Sequence, residues 1–361
     1  MPLGRFGRTN MKFDLSFYKD KTVLITGHTG FKGSWLSQIL LLAGAKVIGY
    51  SLEPNTNPNL FSILKLDEKM HSYIGDIRDL RKLSEVFDRH QPQIVIHLAA
   101  QPIVRDSYKD PVYTYETNVI GTVNICECVR QHPCVKSFLN VTTDKVYENN
   151  DIPNHPFRED EKLDGYDPYS NSKSCSELVT HSYVKSFLHS LGIPTSTARA
   201  GNVIGGGDFS NDRIIPDCYR ALAGKKPLVI RNPQSTRPYQ HVFEPLICYL
   251  VIAQKQYEDR SCAGAYNVGP NSDSFVNTKL LVEKFKLHAS DFEYRIESDG
   301  GPHEAAFLSL DNSKIKKVFG WFPLMDIGKA VKITAEWYKA FINKEDMIGV
   351  SNKQIKEYFG V

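Results

Sequence analysis

Lys21-Thr22-Val23-Leu24-Ile25-Thr26-Gly27-His28-Thr29-Gly30-Phe31-Lys32-Gly33-Ser34-Trp35-Leu36 is the stretch on which the fold turns. A β-branched apolar run ends at Thr26, glycines follow at 27, 30 and 33, and from Trp35 to Ala43 the apolar residues take helical spacing. The reading is strand, glycine loop, helix. Without Cβ atoms the backbone turns sharply and comes close to a pyrophosphate, whose charge the free amides of a helix N-terminus stabilise. Gly27, Thr29, Gly30, Phe31, Lys32 and Gly33 are therefore candidate ligands of a dinucleotide.

Outward from this stretch the alternation repeats. Strands are expected at Lys46 to Tyr50, Tyr73 to Ile77, Ile94 to Leu98, Ser137 to Val141 and Thr195 to Ala200. Helices are expected at Leu80 to His90, about Val112 to Arg130 and about Tyr169 to Leu191. Strands this apolar, alternating with helices, predict an α/β fold: a doubly wound parallel sheet of the Rossmann kind, with its ligand crevice off the carboxyl ends of the strands. The second strand of such a sheet usually ends in an acid that holds the adenosine ribose. Ser51 stands at that place and Glu53 follows, which fits NAD and leaves NADP open. Asp76 and Ile77, closing the third strand, are candidates for the adenine edge.

After Ala200 the alternation breaks down into Gly205-Gly206-Gly207, the loop Arg231 to Tyr239, and helices near Ile214 to Ala223, Val276 to Leu287 and Ile327 to Phe341. This half reads as a smaller mixed α/β substrate lobe. The expected division is 20–200 plus about 240–268 for the dinucleotide-binding domain, and 201–239 plus about 269–361 for the substrate lobe. No flexible linker separates them, so the substrate site falls between.

The chain has 361 residues, with 44 basic and 41 acidic side chains interspersed, a formal charge of +3 and 41% hydrophobic residues. No charge stripe favours nucleic acid, and no apolar run approaches the ~20 residues that span a bilayer. The basic groups suit a small anionic ligand. Cys126, Cys128 and Cys134 cluster without paired CxxC units, and no histidines or carboxylates show metal-ligand spacing, so reduced packing cysteines and no metal are expected. The first ten residues lack an apolar signal core, and Met11 is a candidate natural start. A cytoplasmic location is the expectation.

Tyr169-Ser170-Asn171-Ser172-Lys173 sets a phenol and an ammonium one helical turn apart, on one face. A phenol of pKa ~10 must fall by about three units, ~4 kcal/mol, to act as a base near neutrality. Lys173 and a positively charged nicotinamide would both favour the phenolate. Thr143 ends the fifth expected strand at the ligand edge, where its hydroxyl can hold the oxygen that Tyr169 deprotonates.

The glycine loop, His97-Leu98-Ala99-Ala100, Asn118, Thr143 and the Tyr169–Lys173 pair together resemble the extended short-chain dehydrogenase/reductases that act on nucleotide sugars, from Lys21 onward. The resemblance implies NAD as cofactor, with Leu98, Ala99, Ala100 and Asn118 lining its cleft. It implies Gln101 and Ser107 on the substrate side, and a homodimer packed through the helices near 112–130 and 169–191, with a tetramer left open.

Asp144-Lys145, directly after Thr143, decides between reactions. Oxidising and re-reducing C4 needs no further proton carrier, whereas removing water across C5 and C6 needs a base and an acid. The pair supplies both, as in the 4,6-dehydratases. Most of these carry Asp-Glu here; Lys145, the Gly27 to Leu36 motif and Tyr50-Ser51-Leu52-Glu53-Pro54 resemble the CDP-glucose branch. That resemblance implies CDP-glucose as substrate and a role in deoxysugar synthesis for surface polysaccharide such as lipopolysaccharide O-antigen. The competing readings are a 4-epimerase, a dehydratase for another nucleotide sugar, and a non-catalytic dinucleotide sensor. In the substrate lobe, Arg199, Asn202, Arg213 and Arg237 are candidates for the diphosphate, Tyr239 for stacking on the base, and His303 for the nucleotide end.

Overall fold

The computed structural model describes residues 13–150, 152, 154–297 and 308–360. The first ten residues and His303 lie outside them. Numbering the longer elements in chain order, the first half runs β1 (Thr22–Thr26), α1 (Phe31–Leu42), β2 (Lys46–Ser51), β3 (His71–Ile74), α2 (Leu80–His90), β4 (Ile94–His97), α3, β5 (Ser137–Val141), α4 (Pro168–Tyr183) and β6 (Thr195–Ala200). Helix α3 is composite: Pro111–Tyr115, a π-turn over Glu116–Ile120, then Gly121–Gln131. The second half contributes α5 (Ile214–Gly224), α6 (Phe243–Glu258), β7 (Ala265–Val268), α7 (Thr278–Lys286), α8 (Ile327–Ile342) and α9 (Met347–Phe359).

Seven parallel strands form the sheet in the order β7-β6-β5-β4-β1-β2-β3. Every residue of β4, β5 and β6 is buried, as helices on both faces require. The chain reverses direction of travel between β1 and β4, and the crevice above that switch point is the ligand site of such a sheet. The expected doubly wound α/β fold is the one observed.

Local chemistry sets the helix ends. Asp79 accepts from Lys82 N at 3.0 Å to open α2, and Asp167 accepts from Ser170 N at 3.0 Å, with Pro168 in the first turn, to open α4. Several boundaries differ from expectation. The third strand stops at Ile74 rather than Ile77, because Asp76 turns back on Arg78 N at 2.9 Å. The helix beginning at Pro168 leaves α-geometry at Tyr183 and continues as a π-turn over Val184–Leu188. The stretch Phe275–Asn277 is a strand paired with Thr236–Pro238, so α7 starts only at Thr278.

The smaller lobe is built on short strand pairs and the helices α5, α7, α8 and α9. It shares one apolar core with the sheet: Trp35 of α1, Phe243 of α6 and Trp337 and Tyr338 of α8 are fully buried in the same cluster. Trp35 Nε1 donates to Gly206 O at 2.9 Å, and the Tyr338 hydroxyl donates to Asp208 O. Among the described residues no helix is long and apolar enough to cross a membrane.

Candidate active site

The glycine loop takes a shape that other residues would spoil. Gly27 has φ +76°, and a Cβ on it would lie 2.8 Å from Ala99 N; on Gly33 it would lie 2.1 Å from Gly27 O. Gly30 caps α1 without a side-chain hydrogen bond, leaving the first-turn amides of Phe31, Lys32 and Gly33 to a ligand. Thr29 Oγ1 meets Ser51 Oγ at 2.9 Å and donates to Leu52 O at 2.8 Å, tying the loop to the end of β2. Thr26 Oγ1 accepts from Leu98 N and Ala99 N, both at 3.2 Å, which sets the β4 exit against the loop beside Ala100. Asp76 is held by Arg78 at 2.8 Å, and these bonds keep its carboxyl below the usual range, while Ile77 is buried. A bare helix N-terminus over a cradle that Cβ atoms would fill fits a dinucleotide pyrophosphate.

Beside it, at the end of β5, Thr143, Asp144 and Lys145 make a tight turn. Thr143 Oγ1 donates to Asp144 Oδ1 at 2.9 Å and accepts from Lys145 N at 3.4 Å. Lys145 Nζ lies 3.4 Å from Asp144 Oδ1, with its side chain 30% exposed. Asp144 is 1% exposed, and its second oxygen has no partner among the described residues. Gly201 makes the room for it, since a Cβ there would sit 2.7 Å from Asp144 Oδ2.

The head of α4 faces this turn. The Tyr169 phenol hydrogen-bonds Thr143, yet burial pushes it up to about 12, with Asp144 adding to the rise. Lys173 is buried, donates to Val141 O at 3.1 Å, and is pushed down to about 8 by burial, with Glu177 opposing. Lys32 is likewise pushed down to about 8 by burial; Arg213 and Lys173 lower it further, while Asp144 and Asp208 act the other way. Tyr169, Lys173, Thr143, Asp144 and Lys145 are thus brought together with Lys32.

Other expected contacts go elsewhere. Asn118, in the π-turn of α3, accepts from Gln101 N at 2.8 Å and donates to Ser172 Oγ at 2.9 Å, pinning α3 to α4. Gln101, expected on the substrate side, turns inward: its Nε2 donates to Thr114 Oγ1 at 2.9 Å and its Oε1 accepts from Ile103 N. Ser107, expected on the substrate side, is fully buried and accepts from Tyr169 N at 3.2 Å, so it props the head of α4. Arg199 is not an open fork for phosphate either. Its guanidinium is buried against Glu177 at 2.9 Å, Tyr147 Oη at 2.8 Å and Glu159 O at 3.1 Å.

Among the remaining candidates, Asn202 Oδ1 has no partner among the described residues. Arg213 pairs with Asp208 at 3.1 Å and is partly exposed. Arg237 is buried and donates to Thr236 O at 2.9 Å, and Tyr239 lies in the main apolar core. Glu177 and Asp208 were missed. For Glu177 the signal existed, since it continues the Tyr169–Lys173 face by four residues. Asp208 carries no such pattern.

Comparison with known proteins bears on what this arrangement does. A family model described as GDP-mannose 4,6-dehydratase matches residues 24–334. A CDP-glucose 4,6-dehydratase of Salmonella typhimurium is 44% identical over 352 residues, covering 96% of this chain and 98% of that protein. A dTDP-D-glucose 4,6-dehydratase of Dictyostelium discoideum is 30% identical, over 72% of this chain and 60% of its own. Among solved structures, a UDP-glucose 4-epimerase of Thermotoga maritima superposes with TM-score 0.77 at 22% identity, over 89% of this chain and 99% of that one. The dTDP-glucose 4,6-dehydratase of Bacillus anthracis, in complex with NAD, superposes at 0.74, also at 22% identity, over 91% and 99%. Epimerase and dehydratase share the fold, so these superpositions speak to architecture alone. The family model spans most of the chain, and the chain belongs to the GDP-mannose 4,6-dehydratase family.

Proposed function

We propose that the chain is an NAD-dependent CDP-glucose 4,6-dehydratase, which converts CDP-glucose to CDP-4-keto-6-deoxyglucose and water. The observation that carries this reading is the Asp144-Lys145 pair, one acid and one base, in a turn that touches the Tyr169 phenol through Thr143. The choice of CDP rests on the near full-length similarity to the Salmonella enzyme, set against 25% identity to a dTDP-glucose 4,6-dehydratase of the same organism.

A bound NAD, its pyrophosphate held by the glycine loop, would supply hydride acceptance from C4 and hydride return to C6. Tyr169, with Thr143, is positioned to hold the 4-hydroxyl and take its proton. Bringing a phenol from about 12 to neutrality is a matter of five units, about 7 kcal/mol. Lys173 supplies positive charge from the next turn. Once C4 is a ketone, the C5 proton is acidified and the elimination falls to Lys145 and Asp144.

On this reading the pair gives a route by which a lysine serves as a base. An ammonium with a carboxylate and an amine with a carboxylic acid hold the same number of protons. Moving one proton from Lys145 to Asp144 across 3.4 Å yields a base for C5 and an acid for the departing C6 hydroxyl.

The same reading assigns residues 20–200 with about 240–268 to the dinucleotide half, supported by β7 completing the sheet, and 201–239 with about 269–361 to the sugar-nucleotide half. It assigns a homodimer through α3 and α4, supported by exposed Val112, Ile120, Leu178 and Phe187 along those helices and their π-turn extension. A cytoplasmic location is supported by all seven cysteines being free thiols.

The test is incubation of the protein and NAD with CDP-, dTDP- and GDP-linked glucose in turn, following the alkaline absorbance of a 4-keto-6-deoxy product. Product from CDP-glucose ahead of the other two is expected. A 4-epimer with no 6-deoxy product from any of them would overturn the reading.

A further inference from the structure

One buried ion pair stands behind the reactive groups without touching the cleft. Glu177 lies on α4, four residues after Lys173, and is 3% exposed, as is Arg199 on β6. One carboxylate oxygen of Glu177 accepts from Thr142 Oγ1; the other accepts from Thr197 Oγ1 at 2.7 Å and Arg199 Nη2 at 2.9 Å. Arg199 Nη1 donates to Tyr147 Oη at 2.8 Å, and its guanidinium lies 5.1 Å from the centre of that ring. Tyr147 in turn donates to Asn267 Oδ1 at 2.6 Å, on β7. Thr142 and Tyr147 bracket the turn that carries Thr143, Asp144 and Lys145.

We propose that the Glu177–Arg199 pair is the positioning element of the reaction, clamping both ends of the Thr143-Asp144-Lys145 turn to the helix that carries Tyr169 and Lys173. The inference rests on the dehydratase reading and assigns its geometry to two residues outside the cleft. A buried pair returns little net stability once both charges are desolvated, so its contribution is sought in geometry. Misplacing reacting groups by about 1 Å costs on the order of 10²-fold in rate.

The clamp also carries charge. The titratable groups coupled to Lys173 are Glu177 on its own helix, Lys32 from α1 and His97 from β4. Glu177 is the group that holds the Lys173 ammonium against the loss that burial imposes. Without that charge, Lys173 loses its proton at lower pH, and the alkaline limb of the rate profile moves down with it.

The experiment compares Glu177→Gln, Glu177→Asp and Thr142→Val with the wild-type protein, loaded with NAD and assayed on CDP-glucose. Glu177→Gln is expected to lower kcat by about 10²-fold, with KM and the NAD dissociation constant within about threefold and the alkaline limb shifted to lower pH. Glu177→Asp should recover part of the rate. Thr142→Val, which leaves the ion pair intact, should lower kcat by about tenfold with the melting temperature unchanged. If Glu177→Gln does not fold, Thr142→Val decides alone. An unchanged kcat in the folded variants, or an unshifted pH profile in folded Glu177→Gln, would overturn the clamp. Wild-type protein that makes no 4-keto product overturns the functional reading instead. Amide hydrogen exchange over residues 141–147 then decides the clamp, with faster exchange in Thr142→Val upholding it and unchanged exchange refuting it.

Discussion

Substituting Gly30 by alanine separates a glycine kept for the fold from one kept for a ligand. Within the protein a Cβ at Gly30 meets nothing closer than Gly27 O at 3.4 Å, ordinary contact, and the backbone there is extended at φ −76° and ψ 172°. Losing glycine as the helix cap costs about 0.5–1 kcal/mol. Restricting the unfolded chain returns about 0.4–1 kcal/mol. The two nearly cancel, so the melting temperature should move by no more than about 2 °C. The added methyl, however, stands in the mouth of the first-turn amides. Displacing a pyrophosphate from one charge-assisted amide bond costs about 1.5–3 kcal/mol, roughly 10- to 150-fold in the NAD dissociation constant. Gly33→Ala is the contrast, because its Cβ would lie 2.1 Å from Gly27 O and must displace the loop, lowering stability and affinity together. The assay is NAD titration by fluorescence, with thermal melts of the unliganded proteins. An unchanged NAD affinity in Gly30→Ala, or a melting point as depressed as that of Gly33→Ala, would refute the reasoning.

Asp144→Asn should cut product formation by about 10²–10⁴-fold while C4 oxidation proceeds, seen as transient reduced nicotinamide; normal turnover would reject Asp144 as the acid. Lys145→Met should abolish solvent deuterium incorporation at C5, and exchange at the wild-type rate would point to another base. Glu244 on α6 is buried, and burial pushes its carboxyl up to about 7 despite amide bonds from Leu324 and Met325. A raised folded value gives stability that is complete below the unfolded value near 4.5 and lost as pH rises to about 7. Glu244→Gln should therefore be the more stable protein at pH 8, by up to about 3 kcal/mol, and gain little at pH 4; equal melting temperatures at pH 8 would sink this.

Much of the first half of the chain was legible because its elements alternate cleanly. The helix Leu80–His90 and the strands Ser137–Val141 and Thr195–Ala200 fall where the pattern places them. Helix α6 escaped because 13 of its 16 residues are buried, leaving no polar face for a period to register. The candidate constellation was legible as motif: Thr143 and Asp144 end up beside Tyr169, one helical turn from Lys173. What sequence did not convey is which polar side chains turn inward. Gln101, Ser107 and Arg199 read as ligands because their residue types suit phosphates and hydroxyls. Only the packing shows that Thr114, Tyr169 N and Glu177 claim them first. Nor does a residue list show that Lys32 shares electrostatic surroundings with Asp144 and Lys173.

The common core of the two lobes limits how such a molecule can be re-engineered. Trp35 reaches across to Gly206, and a Cβ on Gly206 would collide with the Trp337 ring at 2.1 Å, so the seam is interlocked rather than merely apposed. Swapping the smaller lobe for that of a relative would sever this interlock along its length. Chimeras of this architecture need the seam, Trp35, Gly206, Phe243 and Trp337, transplanted with the binding loops.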